Sequence, residues 1–392
     1  MAVARVLKQV RENRHFDLPS VARAAHISPA RLEEFEQGER SPSYKQLERL
    51  AEVYGLPDYV LSAPTLPNLP ETIIDYRRRI PKPARLSPEG MQRIWAAEQA
   101  ASFTNQLLAA IKIQPPTWSN AVPTGKPTTK TALSLRKYFD DWLVRRRAGL
   151  ALSGTPEQTF FAALRIFLEA QGTLVRVNDA PADDFLGFFL KYEHSTPTIF
   201  VNRRTSAPKA QLFTIVHEIA HRMLDVSGVS DPFQLNNDVE RTCNKFAAEF
   251  LAPEEYFRAI VERQSRSARS NVFILVDAVS QQSLLSKHAT AIRLLETEYL
   301  DQRQLGAWTK ARATMQRKDM KQEESDASGE TFGQPHAKRI GELGYLAIFA
   351  AKAGVDAKFI DQVDITSGIS LSRTLQEKAF SLATRRMVVA RS

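Results

Sequence analysis

The run Gln211-Leu-Phe-Thr-Ile-Val-His-Glu-Ile-Ala-His-Arg-Met-Leu224 constrains this chain more than any other stretch. Leu212, Phe213, Ile215, Val216, Ile219 and Ala220 predict an apolar helix, and His217, Glu218 and His221 sit inside it. Helical spacing i, i+4 puts both imidazoles on one face, where they can grip one divalent metal at about 2.0–2.1 Å. Glu218 lies one residue round, placed to take a proton from a water molecule that the metal acidifies. Two structural histidines that happen to stand four apart are the competing reading.

A metal site of this type needs a third protein ligand, with the fourth position left to water. Nineteen residues beyond His221 comes Glu240, in Glu240-Arg-Thr-Cys-Asn244-Lys-Phe-Ala247. On a helix Glu240, Cys243 and Asn244 share a face, so Glu240 is the expected ligand and Asn244 can orient a ligating histidine. The rival third ligand is Cys243, since a thiolate suits zinc; alternatively Glu240 merely pairs with Arg241 or Lys245. Two histidines and a glutamate hold zinc well and can also hold manganese.

The rest of the chain sets this helix among several modules. Its 392 residues suggest two or three domains, and no run of eighteen apolar residues exists to span a membrane. No membrane partner is therefore expected. A single cysteine and a start without an apolar export core predict a cytoplasmic location. The net charge of +9 is uneven: zero over residues 1–62, +8 over 63–150, −3 over 151–300 and +4 over 301–392. The densest basic clusters, Arg77-Arg78-Arg79 and Arg145-Arg146-Arg147, lie outside the first module. These clusters read either as solvated faces or as attraction for phosphate or an acidic partner.

Residues 1–62 read as a bundle of short helices, with Asp17 and Ser28 as N-caps and Gly38 as a breaker. Residues 63–130 read as a linker with two proline-rich breaks around a helix near 87–113. Residues 131–265 are mixed: helices near 131–148, 156–171, 207–225 and 237–250, and three strands at Thr173–Val177, Phe185–Tyr192 and Thr198–Val201. This segment is expected to fold and bind metal without residues 1–62. Residues 266–308 form a small helical appendage, 309–335 a charged flexible linker, and 336–392 a helical region with no motif.

The strand ending Val201-Asn202, the His217–His221 helix and ERTCNKFAAEFLAP (Glu240–Pro253) resemble, in order and spacing, the ImmA/IrrE metallopeptidases. Cys243 stands where that family has alanine, and Arg222 where an apolar residue is usual. The resemblance implies His217, His221 and Glu240 as metal ligands and Glu218 as general base. Residues 4–61 resemble XRE-type helix-turn-helix domains through ISPARLEEFEQGERSPSYKQLERLAEVYGLP, with Ser28 to Glu36 as the helix for the major groove. Arg31 is then the base-reading candidate, and Ser28, Arg40 and Lys45 face phosphate. Glu33 and Glu34 on that helix oppose DNA, which leaves dimerisation or partner binding as its other reading. The small unit at 266–308 is similar to the helix-turn-helix appendage that follows this peptidase.

The fold class expected is multidomain and mainly α: an all-α helix-turn-helix module beside an α+β zincin-like domain with a small three-stranded sheet. The fusion implies a cytoplasmic transcriptional regulator carrying a zinc-dependent endopeptidase. Its expected partners are a DNA operator and a specific protein, either a repressor-like substrate or a cognate toxin, as in mobile-element, stress-response or toxin–antitoxin-like loci. The chain is compatible with a homodimer. The alternative is a non-catalytic antitoxin or repressor whose metal is structural. Tyr192, His194 and Arg222 are the candidates for stabilising an oxyanion.

Overall fold

The computed structural model describes residues 2–391 apart from 15, 57, 63–85, 114–124, 182–183, 192–194, 205–206, 226–227, 231–237 and 324–334. Tyr192, His194, Arg77-Arg78-Arg79 and most of the proline-rich stretches lie outside the described residues. None of the described helices is long and apolar enough to cross a membrane.

Five helices open the chain: α1 (Ala2–Asn13), α2 (Leu18–Ala24), α3 (Pro29–Gln37), α4 (Tyr44–Tyr54) and the single turn α5 (Asp58–Leu61). Asp17 and Ser28 cap α2 and α3 by accepting from Ser20 N and Arg31 N. Gly38 ends α3 at φ +79°, a left-handed conformation that a β-carbon would disfavour. Val6, Leu7, Val10, Leu32, Phe35 and Leu50 fill the core. Glu36 accepts from Arg11 Nε and Nη2 at 2.7 and 2.8 Å, which ties α3 to α1. One of the three glutamates crowding α3 is thus structural.

The expected linker holds α6 (Pro88–Ala110), which packs one side along its length against the rest of the chain. Asp184 accepts from the backbone N–H and hydroxyl of Ser87, fixing the start of α6 to the sheet region. Met91, Ile94 and Ala97 join one cluster with the first module and with Phe185, Phe188 and Phe200. Further along, Ala100, Leu107 and Leu108 enter a second cluster with the C-terminal helices. Trp95 lies against Gly55, where a β-carbon would collide with its ring, and Arg14 stacks over it at 4.7 Å.

The mixed unit begins with α7 (Thr129–Leu150) and α8 (Pro156–Ala170). Strands β1 (Leu174–Asn178), β2 (Gly187–Leu190) and β3 (Thr198–Asn202) follow, then α9 (Pro208–Leu224), β4 (Gly228–Ser230) and α10 (Asp238–Leu251). The sheet order is β1-β3-β2-β4, with β1 and β3 parallel and the other pairs antiparallel. A fourth short strand therefore joins the three expected from sequence.

Alternation divides the sheet into two faces. Val175, Val177, Phe189, Ile199 and Val201 join the core around α9, whereas Phe188 and Phe200 stack at 4.6 Å on the α6 side. Helices α11 (Glu254–Glu262), α12 (Arg266–Arg269), α13 (Val272–Gln282) and α14 (Lys287–Glu296) form the appendage. Arg293 of α14 bonds Glu249, whose other oxygen accepts from Glu254 N, so the appendage is bolted to α10.

The segment expected as a flexible linker from 309 is instead helical at its start: α15 (Gln302–Glu323) buries Trp308 and runs through residues with high helix propensity. Last come α16 (Pro335–Leu343), α17 (Tyr345–Asp356), α18 (Gln362–Ile369) and α19 (Arg373–Arg391). These do not form an appendage of their own. Arg165 donates to Ile340 O and Gly341 O, Glu169 accepts from Leu346 N, and Trp142 Nε1 donates to Ala390 O.

Candidate metal centre

Helix α9 carries His217, Glu218 and His221 on its buried side, and α10 lies across it with Glu240, Cys243 and Asn244. His217 Nε2 and His221 Nε2 stand 3.1 Å apart. The carboxylate of Glu240 faces both, one oxygen 3.1 Å from His217 Nε2 and the other 3.3 Å from His221 Nε2. Spacings near 3.3 Å are what a tetrahedron with bonds of about 2.0–2.1 Å produces. The fold brings these three side chains, far apart in sequence, to one point.

The electrostatics of this cluster call for a cation. His217 Nδ1 donates to Asn244 Oδ1 at 2.9 Å, which leaves Nε2 as a lone-pair donor. Burial pulls His221 down, so it is neutral at physiological pH. Burial opposes the charge on Glu240, yet the two imidazoles outweigh it and hold the carboxyl at about 2. Both Glu240 oxygens are buried, with the two imidazole nitrogens as their polar neighbours. Two imidazoles and an anionic carboxylate thus crowd one point in a dry site, an arrangement that a divalent ion would satisfy.

Cys243 also reaches this point: its sulfur and the ligating nitrogens of His217 and His221 all lie within 4.8 Å of one another. Burial, with the charges of Glu240 and Glu218 behind it, pushes the thiol well up from its ordinary value. Without a cation the thiol stays protonated, so Glu240 is the readier third ligand and Cys243 an available fourth. Glu218 is fully buried beside β2. A β-carbon on Gly187 would come 3.0 Å from its Oε1 and press on Thr214, so glycine at this position leaves room for the carboxylate. The sequence alone does not single out Gly187; its sole signal is a glycine opening a strand rich in phenylalanine.

Of the oxyanion candidates only Arg222 is described, half-buried at the end of α9, where burial lowers it to about 9 against the pull of Asp225. In the first module the hydroxyl of Ser28 is occupied as a helix cap. Arg31 and Arg40 both lean on Glu34, at 3.3 and 3.5 Å, while Lys45 is exposed on α4.

Residues 168–294 match the sequence model of the IrrE N-terminal-like domain, a metallopeptidase family, and residues 2–63 match that of a helix-turn-helix domain. The two matches fall on the stretches that carry the motifs, so the chain is similar over them to a helix-turn-helix domain and to an IrrE-like, peptidase-like domain. No curated protein and no solved structure matches the chain.

Proposed function

We propose that this chain is a cytoplasmic transcriptional regulator whose peptidase domain hydrolyses a specific protein partner, a repressor-like protein or a cognate toxin. The observation that carries the reading is the meeting of His217, His221 and Glu240 at one buried point with Glu218 beside it. His217, His221 and Glu240 would hold one divalent cation, zinc by ligand chemistry with manganese the competitor. When bound, it supplies charge that polarises a peptide carbonyl and acidifies water. Asn244 keeps His217 in the tautomer that presents Nε2 inward. Glu218 then takes the proton of the attacking water and returns it to the departing amide nitrogen. In the same reading residues 1–62 dock on an operator, residues 131–265 form the peptidase and 266–308 its appendage.

The test is incubation of the purified chain with the product of the neighbouring gene. Wild type should cut it at one site seen by mass spectrometry, and Glu218→Gln should bind the same metal without cutting. Cleavage by both proteins, or by neither, sinks the enzymatic reading. A second reading, a non-catalytic repressor or antitoxin with a structural metal, is favoured by Cys243. A fourth protein ligand would close the site to water. A thiolate charge-transfer band in the cobalt-substituted protein, lost in Cys243→Ala, would support it.

A further inference from the structure

Cys243 is the single cysteine of 392 residues, and the fold sets it at the metal centre. Its sulfur and the ligating nitrogens of His217 and His221 lie within 4.8 Å of one another, all of them buried. On the same helix, α10, Glu240 faces both imidazoles and Asn244 bonds His217, so three neighbouring side chains of one face converge on the two histidines. The charges of Glu240 and Glu218 both act on the thiol, which places the sulfur close to the ligand carboxylate and to the base.

Donor softness decides which divalent ion such a centre keeps. Imidazole suits several first-row ions, carboxylate suits manganese, and sulfur suits zinc. Two histidines and a glutamate therefore leave zinc and manganese in competition, and one sulfur added to that set tips the balance. Bonds of about 2.3 Å to sulfur and 2.0–2.1 Å to nitrogen, spread tetrahedrally, hold those atoms about 3.5 Å apart. From within 4.8 Å the sulfur closes that gap by moving roughly 1 Å. We propose that Cys243 makes this centre select zinc over manganese, its sulfur joining His217, His221 and Glu240 around the bound ion. Ligation converts the thiol to a thiolate, and its proton leaves to solvent.

Selection of zinc rests on the metal-binding half of the proposed function. It holds under either reading of the centre, since it concerns which ion is kept and not whether water reaches it. The competing account is an ordinary core thiol, because Cys243 also belongs to the apolar cluster of Phe246, Ala247 and Phe250.

The experiment takes the full-length apoprotein and measures its affinity for each metal alone. Zinc is followed by competition with a chromophoric chelator, and manganese by the paramagnetic signal of the free ion. Wild type, Cys243→Ala and Cys243→Ser are compared, with the melting temperature of each apoprotein as the check on folding. Both variants should lose zinc affinity by about tenfold or more, while manganese affinity stays within about threefold. Serine keeps the size of the side chain and puts a hard oxygen in place of sulfur, so a fall in its zinc-to-manganese ratio separates donor chemistry from packing. An unchanged ratio in either variant overturns the proposal and leaves the metal centre standing. Equal loss of both metals also overturns it, because that reports damaged packing. A wild type that holds neither ion overturns it together with the metal centre itself.

Discussion

His217 and His221 bring their inward nitrogens to one point, each within 3.3 Å of the Glu240 carboxylate. A four-coordinate site with three protein ligands has none to spare. His217→Ala, His221→Ala and Glu240→Ala should each abolish the single equivalent of metal found by elemental analysis, whereas Cys243→Ala should retain it. Asn244→Ala should keep the metal but weaken it about 10- to 100-fold, because His217 loses the acceptor that fixes its tautomer. Competition with a chelator measures that loss; unchanged affinity would mean that Asn244 does not orient the ligand. These residues are readable from sequence because they stand on two successive helices at spacings the helix itself dictates. Cys243 is readable as a rival ligand, but not as one within reach of both histidines alongside Glu240. Gly187 is not readable at all, since it meets Glu218 through the packing of α9 on the sheet.

At the scale of elements, α8 and α3 each hold a charge whose partner sets its behaviour. Glu169 of α8 is fully buried, and burial pushes it up to about 7 from 4.5 even though Arg165 and Leu346 N–H pull it down. Between those two values the folded chain holds a proton that the unfolded chain has released, so stability falls as pH rises through this window. Glu169→Gln removes that titration: the stability of wild type relative to the variant should be greatest below about pH 4.5 and smallest above about pH 7. Urea unfolding at several pH values checks the sign, and a difference that grows with pH would refute it. On α3, Glu34 holds Arg31 and Arg40 and opposes phosphate itself. Glu34→Gln should therefore raise affinity for random duplex DNA, roughly several-fold at low salt. Arg31→Ala should cost sequence preference more than salt-dependent affinity. No gain in Glu34→Gln would favour the partner-binding reading of this module. Helix periods and caps make both elements visible in sequence. The strand Gly228–Ser230 escapes such reading because three residues, one of them glycine, carry no alternation.

For the whole molecule, the bonds that tie the C-terminal helices to the peptidase region join residues more than a hundred and sixty positions apart, and no local pattern announces them. The C-terminal region offers no motif, yet it supplies Ile340 O and Gly341 O to Arg165, Leu346 N–H to Glu169, Glu342 O to Arg176 and Ala390 O to Trp142. Arg165, Glu169 and Arg176 are all buried charges within or just before the peptidase match. Removing a partner costs about 1–3 kcal/mol per group, so four such removals rival the 5–15 kcal/mol that typically holds a domain together. The same cut uncovers Leu107, Leu108 and Leu174, which pack with Leu343, Leu346 and Ile348. Across the junction of α6 with the first module the packing is mainly apolar, with Trp95 against Gly55, and one hydrogen bond runs from Gln92 to Glu52 O. The C-terminal contacts predict that the peptidase region needs residues 336–392 for its stability, while it should still fold and bind metal without residues 1–62. Deleting residues 1–62 should leave about one equivalent of metal and a cooperative melt, because α6 still covers the sheet. Deleting residues 336–392 should abolish both. The two truncations are compared by elemental analysis and thermal unfolding, and metal retained without residues 336–392 but absent without residues 1–62 would invert this account of what supports the site.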